Sequence, residues 1–468
     1  MYINGIFRKE KTMKTGFARL DMTPPFGTNL VGYFHERPAD GIITPLYVNA
    51  VAIDDGENRA ALVTIDAEGA TSECTDIIRQ YVSETTGLDP DAVFISCIHC
   101  HQGIGLYSMS NFNNIVKTRV ADAVKLALDD LKESKAHVAR GKAEGISFIR
   151  LYRLKDGGTK TNPGMKSAPN VQGPIGTPDE TVQLVKFTRE GASDIAIVQF
   201  QTHPDVIGGT KICHDWPGFV RTFLEEALTD AADGKGVNAI CFNGAQGDTN
   251  HINFTRITEG IIDRKGGVKH SKHMARVIVG EVLGMYTYAD EVASDKVFFK
   301  RQPVIIDGTK KPTPEQVELG RKMMQAYGDA ARKAKAEGRS ETEAGNEAIK
   351  DFPINITMAR KYAGLANAPD KYTLYLSSVA FGDVVFVGFP GEPFTEMGRQ
   401  TKANSPFKMT FPCCMTNGQN GYFPTKDVFG DVNGYEATAT KFAVGTAERL
   451  TDAAIELTKE LYAKKEEN

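Results

Sequence analysis

The chain has 468 residues, 41% of them hydrophobic and 24% charged, with a formal charge of −4. Such a composition supplies a large packed core and lacks the basic excess that nucleic acid or an anionic membrane surface selects. No apolar stretch reaches the roughly 18–20 residues of a membrane-spanning helix, so neither a nucleic-acid partner nor a transmembrane segment is expected.

The first residues, MYINGIFRKEKTMKTG, are positively charged but have no apolar segment or small-residue cleavage site. They do not read as a secretory signal, and Met13 is an alternative start. Next come the first apolar runs and amphipathic patterns. AALVTID ends at Asp66 and is followed by a helical pattern over 75–87; VFISCIHCH ends at His99 and His101 and is followed by one over 116–134. Residues 155–180 form a Gly/Pro/Asn-rich stretch that reads as a long loop able to wall a pocket. IAIVQFQTH ends at His203 and precedes a helix over 216–232. VNAICFN ends at Asn243 with GAQGDTNH behind it, before a helix over 274–288. Residues 311–350 are rich in Ala, Glu, Lys and Arg and read as exposed helices. VVFVGFPGE ends at Glu392.

This alternation predicts an α/β architecture, a mixed sheet covered by helices, with the active site at the C-terminal ends of the strands, where loops from distant segments converge. The expected organisation is one domain over 13–468 with a helical excursion at 311–366; an interdomain linker is the alternative for that excursion. The seven cysteines (Cys74, Cys97, Cys100, Cys213, Cys241, Cys413, Cys414) are odd in number and lie in or beside apolar runs. They fit a reducing compartment, and a cytoplasmic location, better than a disulfide framework.

Two residues apart on a strand, His99 and His101 are expected to share a face. A catalytic zinc takes three protein ligands, often two His and one Glu, and keeps a position open for water; His99, His203 and Glu392 supply that set. His101 beside the metal would move protons or donate to a developing oxyanion. Singly, each residue has a structural alternative: a hydrogen-bonded pair for the HxH, a turn residue for His203 before Pro204, a helix-start carboxylate for Glu392. That three of them follow apolar runs favours a metal. Cys97 reads as core and Cys100 as a neighbour of the site, and His270 and His273 read as an exposed helix start. NGAQGDTN is either an anion-binding turn or a connection. No G-x-S-x-G, P-loop or G-x-G-x-x-G occurs, which removes the main support for serine-hydrolase, nucleotide-hydrolase and dinucleotide-dependent chemistry.

The segments GFARLDMTPPFG…LVGY (16–33), IHCHQG, FQTHPD, NGAQGD, FPGEPFTEMGR, NGYFPT and GYEATAT (434–440), in this order, resemble the zinc-dependent catalytic domain of the neutral/alkaline non-lysosomal ceramidases over nearly the whole chain. The resemblance implies Zn²⁺ on His99, His203, Glu392 and Tyr422. It implies that His101 assists the attacking water and the oxyanion, that Arg150 contacts the reacting group, and that Tyr435 is a second active-site tyrosine. It implies hydrolysis of an N-acyl amide in a small-molecule N-acylated substrate, and a place in lipid metabolism. Departures stand out: Asn250 occupies the position of a family serine, the HxH is followed by QGIG in place of a longer Ser/Gly-rich stretch, and the family's C-terminal β-sandwich domain is not expected in this chain. They leave two other expectations open, a metal hydrolase of the same fold acting on a soluble non-ceramide conjugate and a non-catalytic metal-dependent binding protein.

Overall fold

The computed structural model describes residues 13–33, 35–229, 235–293, 296–430 and 432–467. Residues 1–12 of the stretch read as signal-free, and residues 230–232 of the helical pattern 216–232, lie outside the described residues.

Two sheets pack face to face. The larger contains β1 (Lys14–Asp21), β2 (Tyr47–Asp54), β3 (Arg59–Ile65), β4 (Val93–Cys97), β5 (Lys132–Lys142), β6 (Thr181–Arg189), β7 (Asp194–Phe200) and β8 (Val237–Asn243), in the order β8-β7-β6-β5-β1-β2-β3-β4, with the short strand Asp290–Val292 also on β5. The smaller contains β9 (Val297–Asp307), β10 (Lys371–Phe381), β11 (Val384–Gly388) and β12 (Met409–Cys413) in chain order. Most pairings are antiparallel; β3–β4, β7–β8 and β11–β12 are parallel. The sequence reading anticipated one mixed sheet with helices over it. A second sheet takes the place of helices on one face because apolar side chains of both sheets interlock there. Phe94 and Phe242 meet Phe386, which stacks on Phe411 at 4.5 Å. Each such ring pair adds about 0.5–1.5 kcal/mol beyond its area.

Helices cover the two outer faces. α1 (Ser72–Thr86) and α2 (Asn111–Asp129) lie over one half of the large sheet, α3 (Asp215–Leu228) and α4 (Gly267–Tyr286) over the other. α1 is capped as its sequence requires: Thr71 Oγ1 accepts from Cys74 N–H, and Gly87 closes the helix in the left-handed conformation at φ 72°. α2 ends at Asp129, short of the predicted 134, because residues from Lys132 join β5. The excursion contains α5 (Pro314–Ala336), α6 (Glu341–Ala348) and α7 (Ile356–Gly364) around their own small core of Met323, Ile349 and Ala359. α5 starts at a capping box, with Thr313 and Gln316 bonding each other's backbone and Pro314 in the first turn. After α8 (Thr395–Asn404) and α9 (Tyr435–Ala439), α10 (Thr446–Glu467) packs with α8 on the smaller sheet.

Residues 155–180 are more ordered than the expected loop. Strands Thr159–Thr161 and Val171–Pro174 flank Leu151–Leu154 in a three-stranded sheet, with a 3₁₀ turn at Met165–Asn170. Pairing there satisfies backbone groups that a bare loop would leave to water. No helix among the described residues is long and apolar enough to cross a membrane.

Candidate metal centre

The three parallel pairs end in step: Ile65 beside Cys97, Phe200 beside Asn243, and Gly388 beside Cys413. The segments that follow them are stitched together by Cys97 N–H to Met415 O, Gly244 N–H to Phe200 O and Cys414 N–H to Asn243 O. His99, His203, Gln246 and Glu392 all belong to these segments, which is why residues nearly three hundred positions apart come together.

One expectation needs correction. β4 stops at Cys97, so strand alternation is not what aligns His99 with His101. The chain turns instead: Ile98 N–H donates to Ile65 O, His99 N–H to Ala67 O, and His99 takes a left-handed backbone at φ 69°. A non-glycine residue at positive φ is uncommon and marks a segment held by its surroundings. Asn243 holds this turn through Nδ2, which donates to Ile98 O at 3.2 Å.

The result is a buried triangle of donor atoms. His99 Nε2 lies 3.2 Å from His203 Nε2; Glu392 Oε2 lies 3.3 Å from the first and 3.4 Å from the second. His101 Nε2 is 3.3 Å from His99 Nε2, and the three histidines offer ring nitrogens within 4.8 Å of one another. The back of each ring in the triangle is anchored. Glu68 O accepts from His99 Nδ1 at 2.7 Å and Gln246 O from His203 Nδ1 at 3.3 Å, which turns both Nε2 atoms towards Glu392. Backbone carbonyls commonly orient metal-binding imidazoles in this way. Gln246 Nε2 donates to Glu392 Oε2 at 3.4 Å.

Tetrahedral ligands at ~2.0–2.1 Å from zinc stand about 3.3–3.4 Å apart, and all three edges of the His99–His203–Glu392 triangle match that spacing. The donor set therefore fits a divalent ion. Burial works against charge on every ring. For His99 the Glu392 carboxylate overrides it and the pKa is pushed up to about 9; burial, reinforced by His99, pushes His101 down to about 3. Burial and Arg150 hold His203 well below the ordinary range, which favours the uncharged, lone-pair form.

Tyr422 lies beside the triangle. Residues Glu392–Pro393 pair in parallel with Tyr422–Phe423, and the Tyr422 ring is nearly parallel to that of His203, 16° between planes and 6.4 Å between centroids. Burial and then Glu392 push its phenol well up, while Arg150 opposes them. Arg150 is nearly buried. Its Nε pairs with Glu436 Oε1 at 2.6 Å, its Nη2 donates to Gly247 O at 2.9 Å, and its Cζ lies 5.4 Å from the Tyr422 ring centre. Tyr435 meets Tyr422 edge-on at 5.6 Å. A cavity of about 210 Å³ opens on His99, His101, Glu392, Tyr422 and Tyr435. Five of the seven residues singled out in the sequence line this space; His203 stands behind it against His99 and Glu392, and Arg150 against Tyr422.

Several residues around it were not singled out. Glu68 lines the cavity, its carboxylate accepting from the Tyr107 hydroxyl. It follows an apolar strand as the other acids do, in TIDAEG, a signal passed over in favour of Asp66. Asp66 itself goes elsewhere, to a buried two-point ion pair with Arg221 at 2.6 Å. The LVGY segment supports His101. A Cβ on Gly32, which sits at φ 94°, would fall 2.4 Å from His101 Nδ1, and Tyr33 meets the His101 ring edge-on at 5.6 Å. The Arg37 guanidinium lies over Tyr33 and donates to His101 O and Gln102 Oε1. Asn250 donates from Nδ2 to Asn162 Oδ1 at 2.9 Å, and Asn162 N–H donates to Arg150 O at 2.7 Å. NGAQGD is a connection that supports the site; Asp248 is used to accept from Thr395 N–H and Oγ1. All seven cysteines are free and buried, and burial raises the Cys97 and Cys100 thiols, against a nucleophilic role.

Fold and centre together define a class: a two-sheet α/β protein with a buried histidine–carboxylate centre at the ends of parallel strand pairs. Among solved structures this fold is shared with neutral ceramidase from Pseudomonas aeruginosa, at a TM-score of 0.68 and 15% identity, over 97% of this chain and 75% of that one. A ceramidase complexed with C2 also matches at 0.68, with 13% identity over 97% of this chain and 76% of the other. No family model and no curated protein sequence matches.

Proposed function

We propose that the protein is a zinc-dependent hydrolase of N-acyl amides, with residues 13–468 as one catalytic domain and 311–366 as its helical excursion. The observation that carries this reading is the His99–His203–Glu392 triangle, with edges of 3.2, 3.3 and 3.4 Å, on the fold of ceramidases. These three residues, with Tyr422 on the adjoining strand, would hold the ion. A zinc ion there supplies Lewis-acid polarisation of a carbonyl and lowers the pKa of water.

The chain's own groups do the rest. His101, one ring away from the triangle, takes a proton from the attacking water and delivers one towards the leaving amine. Arg150, held by Glu436, presents fixed positive charge beside Tyr422, and with the Tyr435 hydroxyl it stabilises the oxyanion. Burial of the whole set strengthens each of these interactions by excluding water. The preference for an amide follows the ceramidase neighbours. The seven cysteines, odd in number, free and buried, support an intracellular, reducing setting.

Metal analysis and amine release from N-acyl substrates test this together. The expected result is one zinc per chain, and His101→Ala keeping that zinc while losing about 100-fold or more in kcat, the range of a proton-transfer group. Zinc-loaded protein that releases no amine from any N-acyl substrate overturns the hydrolase reading and leaves a binding protein.

A further inference from the structure

α7, the last helix of the excursion, packs against α9, which begins at Tyr435. Between them is a second cavity of about 300 Å³, lined by Arg360, Lys361 and Leu365 on one side and by Tyr435, Ala439 and Lys441 on the other. Those last three also line the metal cavity. The two spaces therefore adjoin, with Tyr435, Ala439 and Lys441 as their common wall.

The outer space is cationic. Arg360, Lys361 and Lys441 are all half-buried, and the excursion brings two of them to the wall. Among the described residues neither Lys361 nor Lys441 is paired with a carboxylate; Lys441 Nζ donates only to the neutral Asn420 Oδ1 at 3.3 Å and lies near the Tyr372 and Phe442 rings. Burial lowers the pKa of all three, and among the described residues no carboxylate offsets that cost for the two lysines. In a chain with 59 acidic and 55 basic residues, a partly buried pocket walled by cations is not the expectation of chance placement. Structural lysines extend to water or take an acidic partner. A ligand anion supplies what these lack.

We infer that this outer chamber is an anion subsite, and that the substrate is an N-acyl compound whose carboxylate lies against Lys361, Lys441 and Arg360 while its amide reaches the metal cavity. This rests on the hydrolase reading for the amide and on the chamber alone for the charge. It specifies an acidic conjugate in place of an uncharged two-chain lipid.

The test uses the zinc-loaded full chain with two conjugates that differ in charge, N-hexanoylglycine and N-hexanoyl-2-aminoethanol. Calorimetric binding and kcat/KM are measured for wild type, Lys361→Gln and Lys441→Gln. The glycine conjugate should be favoured by roughly 10- to 100-fold, the range of hydrogen bonds to charged groups, chiefly through binding. Each variant should shrink that ratio, whereas damage to the fold lowers both conjugates together. Equal binding of the two conjugates by wild type, or a ratio unchanged in both variants, overturns the inference; equal turnover of both leaves the hydrolase reading standing. Tight, lysine-dependent binding of the glycine conjugate with no cleavage of either one supports the subsite and overturns the hydrolase reading.

Discussion

The chain carries two groups of three histidines, and they behave differently. His99, His101 and His203 are buried and point ring nitrogens at one another and at Glu392. His251, His270 and His273 are also neighbours, with ring centroids 5.8 Å apart in each successive pair, but the last two stack nearly parallel at the start of α4. His273 is exposed, and His251 faces Asp205 at 3.6 Å. Among the described residues this second group forms no convergent donor set. Closeness of rings does not make a metal centre. What distinguishes the first group is that the Nδ1 atoms of His99 and His203 are held by backbone carbonyls, so their Nε2 atoms have one direction to face.

The largest effect expected from this contrast is on metal content. His203→Ala should lower zinc affinity by more than about 100-fold, beyond the cost of losing a supporting partner, whereas the double variant His270→Ala, His273→Ala should retain full occupancy. Equal zinc in His203→Ala and wild type, read by elemental analysis, would break the contrast. A smaller effect is expected at Gln246, whose side chain reaches Glu392. Gln246→Ala should weaken zinc binding by roughly 10- to 100-fold without removing a ligand, measured by competition with a chelator. Smaller still is the effect at Gly32. Gly32→Ala places a methyl group against His101 at positive φ and should cost roughly 1–2 kcal/mol in a urea titration; zinc should stay bound while turnover falls. Unchanged turnover in that variant would mean that the position of His101 is unimportant.

Much of the centre was legible because apolar runs with polar ends are visible in one dimension. His99, His203 and Glu392 follow β4, β7 and β11, and the excursion's helices were readable from composition. Tyr422, Tyr435 and Arg150 were reached only through the resemblance, since a tyrosine in a turn or an arginine after a strand has no local signature. The turn at His99 was misread as strand because its left-handed backbone is imposed by hydrogen bonds to Ile65 and Ala67, thirty residues earlier. Asp66 and Glu68 show the same limit. Both follow β3, yet one is used by Arg221 from α3 and the other turns towards the cavity.

By itself the sequence determined five apolar runs that end in polar residues and the helical patterns between them, because burial of apolar side chains imposes periodicity on the chain. Only the tertiary structure decided that a second sheet packs on the first, that the histidine tips meet at zinc-ligand spacing, and that α7 brings Arg360 and Lys361 to the wall of the adjoining cavity. These depend on contacts between residues far apart in the chain, and a local pattern carries no record of its distant partner.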